Sequence, residues 1–455
     1  MKYISTRSKE KEYNFGEVFL KGLADDGGLY VPKSVKKYSK EELSKLQKFN
    51  FNELSAEITS QFLGDFISKE ELSSLIDKSY SKFREKEVVK ISNVGELKLL
   101  ELFHGPTLAF KDIAMQFIGN LYEYYLSKNA KKINIVVATS GDTGAAAIDA
   151  IKGKSNLNIF VLHPNNRISS VQRKIMTTVE ENNVFNIAID GNFDDCQNIV
   201  KEMFSDLEFS KSINMSGVNS INWARIIAQA VYYFYSYFKL GKETISFSVP
   251  TGNFGDVFAG YLAKKMGLPI DKLIVATNEN DILHRAISKG DYVSKEVKET
   301  LSPSMDIQLA SNFERLIYYV NNSDSEKTAE IMKKVKQNSY QIEKNNLDVI
   351  QKDFLSESCN EQETLDIIKK NHEENNIILD PHTAVGVGAA KKLSFNDCVV
   401  LSTAHPCKFP DATNNAINKH EKLPEELQHV LDKKENFQVL KNNTEEVKNF
   451  VKSKI

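Results

Sequence analysis

The chain has 455 residues, of which 41% are hydrophobic, and its 59 lysines and arginines nearly balance 61 aspartates and glutamates, giving a formal charge of -2. This length predicts about two to four domains, and the apolar content is enough to fill sizeable cores. The charge balance argues against nucleic acid as a partner, so any anion that the protein binds must be held by local groups.

The start of the chain and its cysteines bear on where the protein works. The first residues, MKYISTRSKEKEYNF, lack the apolar core of a signal peptide, and their mixed charges do not suit a transit peptide. The segment RIIAQAVYYFYSYF, residues 225–238, is too short and too polar to cross a bilayer and is predicted to be a buried helix. Four widely spaced cysteines without a C-x-x-C pair favour reduced thiols over disulfides and give no support for a metal site. We therefore expect a soluble, cytoplasmic protein with no membrane partner and no bound metal.

Residues 1–90 are predicted to form a helical N-terminal portion. The segments SKEELSKLQKF and SKEELSSLIDKSYSKF carry charged helical patterns. Each opens with a serine, a residue that suits the cap of a helix N-terminus.

From about residue 95 the pattern changes to short β-branched runs that are mostly separated by helical stretches. The runs are INIVVATS, NIFVLHP, VFNIAID, TISFSVP, KLIVATN and CVVLSTAHP. Their alternation with helices predicts an α/β fold of parallel sheets covered by helices. We expect a first α/β domain at 91–235, a second at 236–430 and a helical tail at 431–455. The polar segment 291–376 shows no recognisable chemistry and is predicted to cover the surface.

The segment HGPTLAFKDIAMQF, residues 104–117, places a lysine among apolar positions. Interpreted as a helix, it gives Lys111 apolar neighbours at spacings of three, four and seven residues, namely Leu108, Ala114, Met115 and Ile118. A solvated lysine whose stem covers apolar surface is one explanation. The other is a desolvated amine, whose lowered pKa makes it a nucleophile for a carbonyl group.

Two glycine-rich turns connect a predicted strand to a predicted helix, Ser140–Gly144 in VVATSGDTGAAAIDAI and Thr251–Asp256 in SFSVPTGNFGDVFAGYLAKKMG. In open α/β sheets, ligands bind beyond the carboxyl ends of the strands, and backbone N–H groups at a helix N-terminus can hold a phosphate. The glycines permit close approach of the backbone, and we expect the Asp256 carboxylate to cap its helix or to point away from the anion. Neither turn fits the dinucleotide or the P-loop pattern. Taken alone, each could be an ordinary tight turn.

Two other segments carry polar side chains at the end of a predicted strand or at the start of a predicted helix, where they could contact a ligand. In VVLSTAHPCKF, a predicted buried strand ends at Ser402 and Thr403, and a hydroxyl there can meet a heteroaromatic nitrogen. In NSINWARIIAQA, Asn219, Ser220 and Arg225 precede or begin a long helix and could converge on an oxyanion. A strand terminus and a capped amphipathic helix are the simpler explanations of the two segments in isolation.

In this order, the segments resemble the threonine synthases, pyridoxal-phosphate enzymes of fold type II, the tryptophan-synthase-β group, in their longer bacterial and fungal form. The motifs extend over nearly the whole chain: YISTR, LADDGGLYVP, ELFHGPTLAFKD, ATSGDTGAAA, NSINWAR, PTGNFGD, LDPHTAVG and LSTAHPCKFPDA. Related dehydratases and synthases share the lysine motif and the glycine turns in looser form. The combination of HGPTLAFKD with GGLYVP and the STAHP segment is much more specific.

The resemblance implies a role for each candidate residue. Lys111 would form the Schiff base with pyridoxal 5'-phosphate, and the Thr403 hydroxyl would meet the pyridine nitrogen. The cofactor phosphate would be held by Gly252, Asn253, Phe254, Gly255 and Asp256. The substrate carboxylate would face the first turn, at Ser140, Asp142 and Thr143, and the substrate phosphate would be taken by Asn219, Ser220 and Arg225.

The implied reaction converts O-phospho-L-homoserine and water to L-threonine and phosphate, by loss of the γ-phosphate and addition of water at Cβ, in a monomer or homodimer. The main alternative within the same fold is a serine/threonine dehydratase or a cysteine synthase, which needs no second phosphate site. A non-catalytic binder of phosphorylated metabolites is a further alternative, but it would require neither Lys111 nor Thr403. The sequence leaves open which group moves the Cβ proton.

Overall fold

The computed structural model describes residues 1–419 and 421–455, and it begins with the predicted helical N-terminal portion. The helices are α1 Phe15–Lys21, α2 Lys40–Leu46, α3 Phe51–Leu63 and α4 Lys69–Tyr80, and two short antiparallel strands accompany them, β1 Tyr3–Ser5 and β2 Tyr30–Pro32. Ser39 and Ser68 accept hydrogen bonds from the third backbone N–H of α2 and α4 in complete capping boxes. The predicted serine caps are therefore confirmed.

One parallel sheet of five strands forms in the order β13-β7-β6-β5-β8. Its strands are β5 Ile133–Ala138, β6 Leu157–Pro164, β7 Val184–Asp190, β8 Met215–Ser216 and β13 Gln438–Lys441. Its helices are α5 Lys111–Asn129, α6 Asp142–Ile151, α7 Ser170–Thr177, α8 Phe193–Ser205, α9 Leu207–Ser212 and α20 Thr444–Lys452. All its strand pairs are parallel, as the buried β-branched runs predict.

A second sheet has six strands in the order β11-β10-β9-β12-β4-β3, and only its edge strand β3 is antiparallel. The strands are β3 Lys90–Val94, β4 Leu97–Glu101, β9 Ile245–Pro250, β10 Ile270–Thr277, β11 Phe354–Ser358 and β12 Val399–Ser402. The associated helices are α10 Trp223–Leu240, α11 Gly255–Lys265, α12 Ile282–Lys289, α13 Phe313–Val320, α14 Ser325–Lys336, α15 Lys344–Asp353, α16 Glu361–Asn375, α17 Pro381–Lys392, α18 Pro410–Ile417 and α19 Glu425–Gln428. The predicted fold class, parallel sheets covered by helices, is confirmed.

Helix α10 lies at the centre of the molecule. Every residue from Trp223 to Ser236 is buried, which confirms the prediction of a buried helix. It packs against α3, α5 and α11, so it joins the N-terminal helices to both α/β parts. Among the helices of the described residues, none combines the length and the low polarity needed to span a bilayer.

Sheet membership does not follow chain order. Strands β3 and β4 lie in the sheet built mainly from residues after 245, and β13 joins the sheet formed by residues 133–216. Parallel neighbours are reached through crossover connections, so strands that pair can be far apart in sequence.

The domain boundaries at 90, 235 and 430 stay predictions. The helical tail predicted at 431–455 contains strand β13 as well as helix α20, because residues 438–441 pair with β7 at the edge of a sheet and bury Leu440.

Candidate functional site

The predicted lysine occupies the first residue of α5, just after a sharp turn of the chain. Leu108 has a φ of 62°, so the backbone turns before the helix begins at Lys111. This corrects the sequence prediction that Leu108 lies on the same helical face as the lysine. Ala114, Met115 and Ile118 lie in the helix as predicted and are buried, so the helix that carries the amine has an apolar environment.

The Lys111 amine lies in a desolvated polar cluster. The side chain is only 10% exposed, and Nζ lies 3.3 Å from Asp142 Oδ2 and 3.1 Å from Ser304 Oγ. Burial lowers the pKa of Lys111 below its ordinary value, Asp142 opposes that shift, and the positive charges of Lys408 and Arg225 add to it. The structure therefore favours the desolvated amine over a solvated surface lysine.

Asp142, the first residue of α6, holds this cluster together. Lys408 Nζ lies 2.5 Å from Asp142 Oδ1, and Gln172 Nε2 donates to the same oxygen at 2.9 Å. Burial alone would raise the pKa of Asp142, but Lys408, Lys111 and His382 hold it well below its usual range. Asp142 is therefore a fixed anion whose side chain is already engaged by cations.

The turn before α6 is shaped by Thr139. Its Oγ1 accepts hydrogen bonds from the backbone N–H groups of Gly141, at 2.9 Å, and Gly144, at 2.8 Å. Gly141 has a φ of 134°, a conformation that glycine adopts without strain. Ser140 and Thr143 are half-buried, and the helix begins without a side-chain cap. N–H groups at this helix end are thus available to an anion.

The second glycine turn joins β9 to α11 in a comparable way. The backbone N–H of Phe254 donates to Thr251 Oγ1 at 3.2 Å, and α11 begins at Gly255 without a side-chain cap. Phe254, with a φ of 60°, adopts the left-handed conformation in this turn. A Cβ on Gly252 would lie 2.9 Å from the carbonyl oxygen of Ser304. This uncapped N-terminus with half-buried Gly252, Asn253 and Gly255 fits a phosphate group.

Asp256 points away from that turn, one of the two orientations that the sequence predicts. Its Oδ1 accepts hydrogen bonds from the phenols of Tyr232, at 2.5 Å, and Tyr233, at 3.0 Å. Burial raises the pKa of Asp256 to about 7, against the opposing effects of the two phenols and of Arg225. The carboxylate therefore anchors α11 to α10 and leaves the backbone of the turn to meet an anion.

Arg225 lies in the first turn of α10, and part of its guanidinium has no hydrogen-bond partner. It is buried, Nη1 donates to the carbonyl oxygen of Val218 at 3.4 Å, and Nε has no hydrogen-bond partner. Burial lowers its pKa to about 10, and Tyr232 and Asp256 oppose the shift. A buried guanidinium that lacks an anionic partner is costly unless a ligand supplies one. The free Nε makes Arg225 a candidate ligand for a second anion beside α10.

Asn219 and Ser220, which are predicted to bind an anion together with Arg225, are less buried than Arg225. Asn219 is exposed and Ser220 is half-buried. The carbonyl oxygen of Ser220 accepts a hydrogen bond from Asn312 Nδ2 at 3.2 Å, and the same amide donates to the carbonyl oxygen of Asn253 at 3.2 Å. Asn312 therefore ties the segment before α10 to the glycine turn before α11.

Thr403 follows the end of β12 and is buried. Its carbonyl oxygen accepts a hydrogen bond from the backbone N–H of Phe110 at 2.8 Å. This bond places Thr403 beside the residue that precedes Lys111, as a shared site requires.

Four residues of the site were missed by the sequence analysis: Gln172, Ser304, Asn312 and Lys408. Ser304 and Asn312 belong to the segment 291–376, so the expectation that this segment only covers the surface was wrong. The run SPSMD, with hydroxyls on both sides of a proline, was the available signal for Ser304. Lys408 lies in STAHPCKF, where no local pattern distinguishes it from a surface lysine. In the part of the chain that the structure describes, no cluster of three or more His, Cys, Asp or Glu is arranged to hold a metal ion.

Comparisons with known protein families cover almost the whole chain. The family described as "Threonine synthase N terminus" matches residues 2–80, "Pyridoxal-phosphate dependent enzyme" matches residues 89–337, and "Threonine synthase, C-terminal" matches residues 383–451. The segment that supplies Lys111, Asp142, Arg225, the second glycine turn and Ser304 lies within the second of these matches.

Individual relatives agree with the family matches. Threonine synthase from Pseudomonas aeruginosa is 43% identical, with 99% of this chain and 98% of that protein covered. The Saccharomyces cerevisiae enzyme is 44% identical, with 100% and 98% covered. The crystal structure of PLP-bound threonine synthase from Brucella melitensis superimposes with a TM-score of 0.96 at 43% identity, with 100% of this chain and 99% of that chain covered. The chain therefore belongs to the threonine synthase family of pyridoxal-phosphate-dependent enzymes.

Proposed function

We propose that the protein converts O-phospho-L-homoserine and water to L-threonine and phosphate, with pyridoxal 5'-phosphate attached at Lys111. The observation that carries this proposal is the buried amine of Lys111, 3.3 Å from Asp142, in a site with separate places for two anions. One is the uncapped turn at 252–256, and the other is beside the unpartnered Nε of Arg225. A phosphorylated cofactor and a phosphorylated substrate together need two such places.

The cofactor fits the residues that surround Lys111. Its phosphate would accept hydrogen bonds from the backbone N–H groups of Gly252, Asn253, Gly255 and Asp256. Phe254 would shape this turn, because its own N–H already donates to Thr251 Oγ1. The Thr403 hydroxyl would meet the pyridine nitrogen, and the bond between Thr403 and Phe110 supports this because it fixes Thr403 close to Lys111. When bound, the cofactor supplies an electron sink for the density released at the substrate Cα.

Lys111 is the proposed acid and base of the site. Its Nζ, released when the substrate amine takes its place, removes the proton from Cα and later returns a proton to the substrate. The low-lying pKa of a buried amine suits this work, because an ammonium group could not accept a proton. The Ser304 hydroxyl, 3.1 Å from Nζ, helps to hold the amine in position.

The substrate would be held at both ends. Gly141 and Gly144 already donate to Thr139, so the N–H groups of Ser140, Asp142 and Thr143 are proposed to hold the substrate carboxylate. At the other end, the Arg225 guanidinium would grip the γ-phosphate until it leaves, because its Nε has a donor to offer. Asn219 and Ser220 are proposed to complete this phosphate site from the preceding segment.

A dehydratase or cysteine synthase is less well supported, since neither has a use for a buried arginine with a free Nε donor beside the cofactor. A non-catalytic protein that only binds phosphorylated metabolites would not need a desolvated lysine.

We propose a cytoplasmic monomer or homodimer. The four cysteines are buried thiols without disulfide partners, which suits a reducing compartment.

The function is tested by the products formed from O-phospho-L-homoserine. Protein loaded with pyridoxal phosphate is expected to release L-threonine and inorganic phosphate in equal amounts, and to form little ammonia from L-serine or L-threonine. Ammonia from those two amino acids, with no phosphate from O-phospho-L-homoserine, would instead identify a dehydratase.

The two glycines of the cofactor turn are expected to differ in their tolerance of a side chain. A Cβ on Gly252 would meet the Ser304 carbonyl oxygen at 2.9 Å and Met305 Cα at 3.1 Å, so the backbone of that segment would have to move. A Cβ on Gly255 would meet only the Asn312 amide nitrogen, at 3.2 Å, and the Ser220 carbonyl oxygen, at 3.7 Å. Overpacking costs about 1 to 3 kcal/mol, so we expect Gly252→Ala to weaken cofactor binding about tenfold and Gly255→Ala to weaken it less.

Titration of the cofactor-free variants with pyridoxal phosphate measures both affinities. Gly255→Ala serves as the matched control, because it adds the same methyl group to the same turn. Parental affinity in folded Gly252→Ala protein would show that the turn does not hold the cofactor.

A further inference from the structure

Two lysines share one carboxylate in the interior of the site. Lys408 is completely buried, and its Nζ lies 2.5 Å from Asp142 Oδ1. Lys111 Nζ lies 3.3 Å from the other oxygen of the same carboxylate. One carboxylate can balance the charge of one ammonium group, and a second buried ammonium would be left without a counter-ion.

Other charged groups nearby do not remove this conflict. Asp112 is buried next to Lys111 in sequence, but its two oxygens accept from the N–H and the hydroxyl of Thr107, at 2.7 and 2.6 Å. Burial raises the pKa of Asp112 to about 6. Arg225 adds positive charge near Lys111, and His382 acts on Asp142 in the same sense as the lysines. Among the described residues, Asp142 is therefore the only carboxylate that forms an ion pair with either lysine.

Hydrogen-bond partners distinguish the two amines. Lys408 Nζ has as neighbours Asp142 Oδ1 and, at 2.9 Å, the carbonyl oxygen of Thr107, and both of these can only accept. Lys111 Nζ lies 3.1 Å from the Ser304 hydroxyl, which can either accept or donate, and 3.3 Å from Asp142 Oδ2, which can only accept, so a neutral amine with two N–H donors and one lone pair fits both neighbours. An ammonium group suits the first set of neighbours, whereas a neutral amine can be satisfied by the second.

We propose that Lys408 is a positioning residue that takes the Asp142 carboxylate as its counter-ion and so leaves Lys111 as a neutral amine. This deepens the proposed function, because it rests on Lys111 as the lysine that attacks the cofactor. Without the charge of Lys408, Asp142 would pair with Lys111 and keep it protonated. Lys408 also ties three segments together, since it bridges Thr107, before α5, to Asp142, at the start of α6, from the turn after β12.

The proposal is tested by the protonation of Lys111 in the full-length protein after removal of its cofactor. Trace labelling with acetic anhydride at a series of pH values, followed by peptide mapping, reports the pH at which each lysine becomes reactive. In the parent, we expect Lys111 to become half-reactive at a lower pH than the exposed Lys344, because burial disfavours its ammonium form. In Lys408→Met, we expect the Lys111 profile to move upward by about 1 unit or more, because the Asp142 charge now stabilises its ammonium form.

Two further variants separate charge from structure. Lys408→Arg keeps the positive charge and should retain the parental Lys111 profile. Lys154→Met removes a largely buried lysine that pairs with Glu123, 2.8 Å away, and should also leave the profile unchanged. A lower melting temperature for Lys408→Met with an unmoved Lys111 profile would show a merely structural role and overturn the proposal.

Measurement of the parent protein alone is also decisive, so the proposal does not depend on a well-folded variant. If Lys111 in the parent became reactive at the same pH as Lys344, the amine would not be kept neutral and the proposal would be wrong. Failure of the proposed function is detected separately. Borohydride reduction of the loaded enzyme would then place the cofactor on a lysine other than Lys111, whatever the labelling profile shows.

Discussion

Replacing Lys111 by alanine is expected to lower the rate of threonine formation by between about 100- and 10,000-fold, the range observed when a positioned acid or base is lost. The variant should still bind pyridoxal phosphate, though more weakly, because the turn at 252–256 remains. Its stability should change little, since Asp142 keeps Lys408 as its partner when the second lysine of the cluster is removed. Coupled assays of threonine and phosphate measure the rate.

Covalent mapping provides the control for this prediction. Borohydride reduction of the loaded parent should fix the cofactor to the peptide that contains Lys111, and the Lys111→Ala protein should carry no label. Lys154→Ala, which removes a lysine outside the site, should keep parental turnover. Parental activity in Lys111→Ala, or a label on another lysine in the parent, would contradict the assignment.

Arg225→Lys is expected to be damaging although it keeps the positive charge. A guanidinium can hold a phosphate with two parallel hydrogen bonds, whereas an ammonium group acts as a point charge. Loss of a charge-assisted hydrogen bond costs about 1.5 to 3 kcal/mol, equivalent to about ten- to over a hundredfold in kcat/KM if the contact persists in the transition state. The unpartnered Nε of the buried Arg225 is the structural reason to expect such a contact.

The affinity for the cofactor should change much less than kcat/KM, because the cofactor phosphate is assigned to the turn at 252–256. Arg285→Lys is a matched control: Arg285 is also buried, but it is paired with Asp281 at 2.8 Å and Asp291 at 2.5 Å. That variant should keep the parental kcat/KM for O-phospho-L-homoserine. If Arg225→Lys also kept it, Arg225 would not be the phosphate ligand.

The elements of the fold were predictable where their signals are local. The β-branched runs mark strands β5, β6, β7, β9, β10 and β12, and serines mark the starts of α2 and α4. Register with distant strands was not predictable, because the pairing of β13 with β7 depends on contacts between residues far apart in sequence. The start of α5 was misplaced because nothing in HGPTLAFKD shows that Leu108 adopts a positive φ.

The site was predictable to the extent that its residues lie in recognisable turns. Lys111 was recognisable as a lysine with apolar neighbours at helical spacings, and the glycines marked both turns. Lys408 and Ser304 could not be assigned in this way, because each reaches Asp142 or Lys111 only through the tertiary fold. Their residue types are common, and their chemistry depends on burial and on partners that no local pattern reveals.

The fate of water oxygen during turnover tests the account most directly. In water enriched in oxygen-18, the protein should convert O-phospho-L-homoserine to threonine with the heavy oxygen in its β-hydroxyl group, while the released phosphate carries none. This outcome requires cleavage of the bond between Cγ and oxygen, followed by addition of water at Cβ. Heavy oxygen in the phosphate together with homoserine as product, or ammonia and a 2-oxo acid without threonine, would contradict the account.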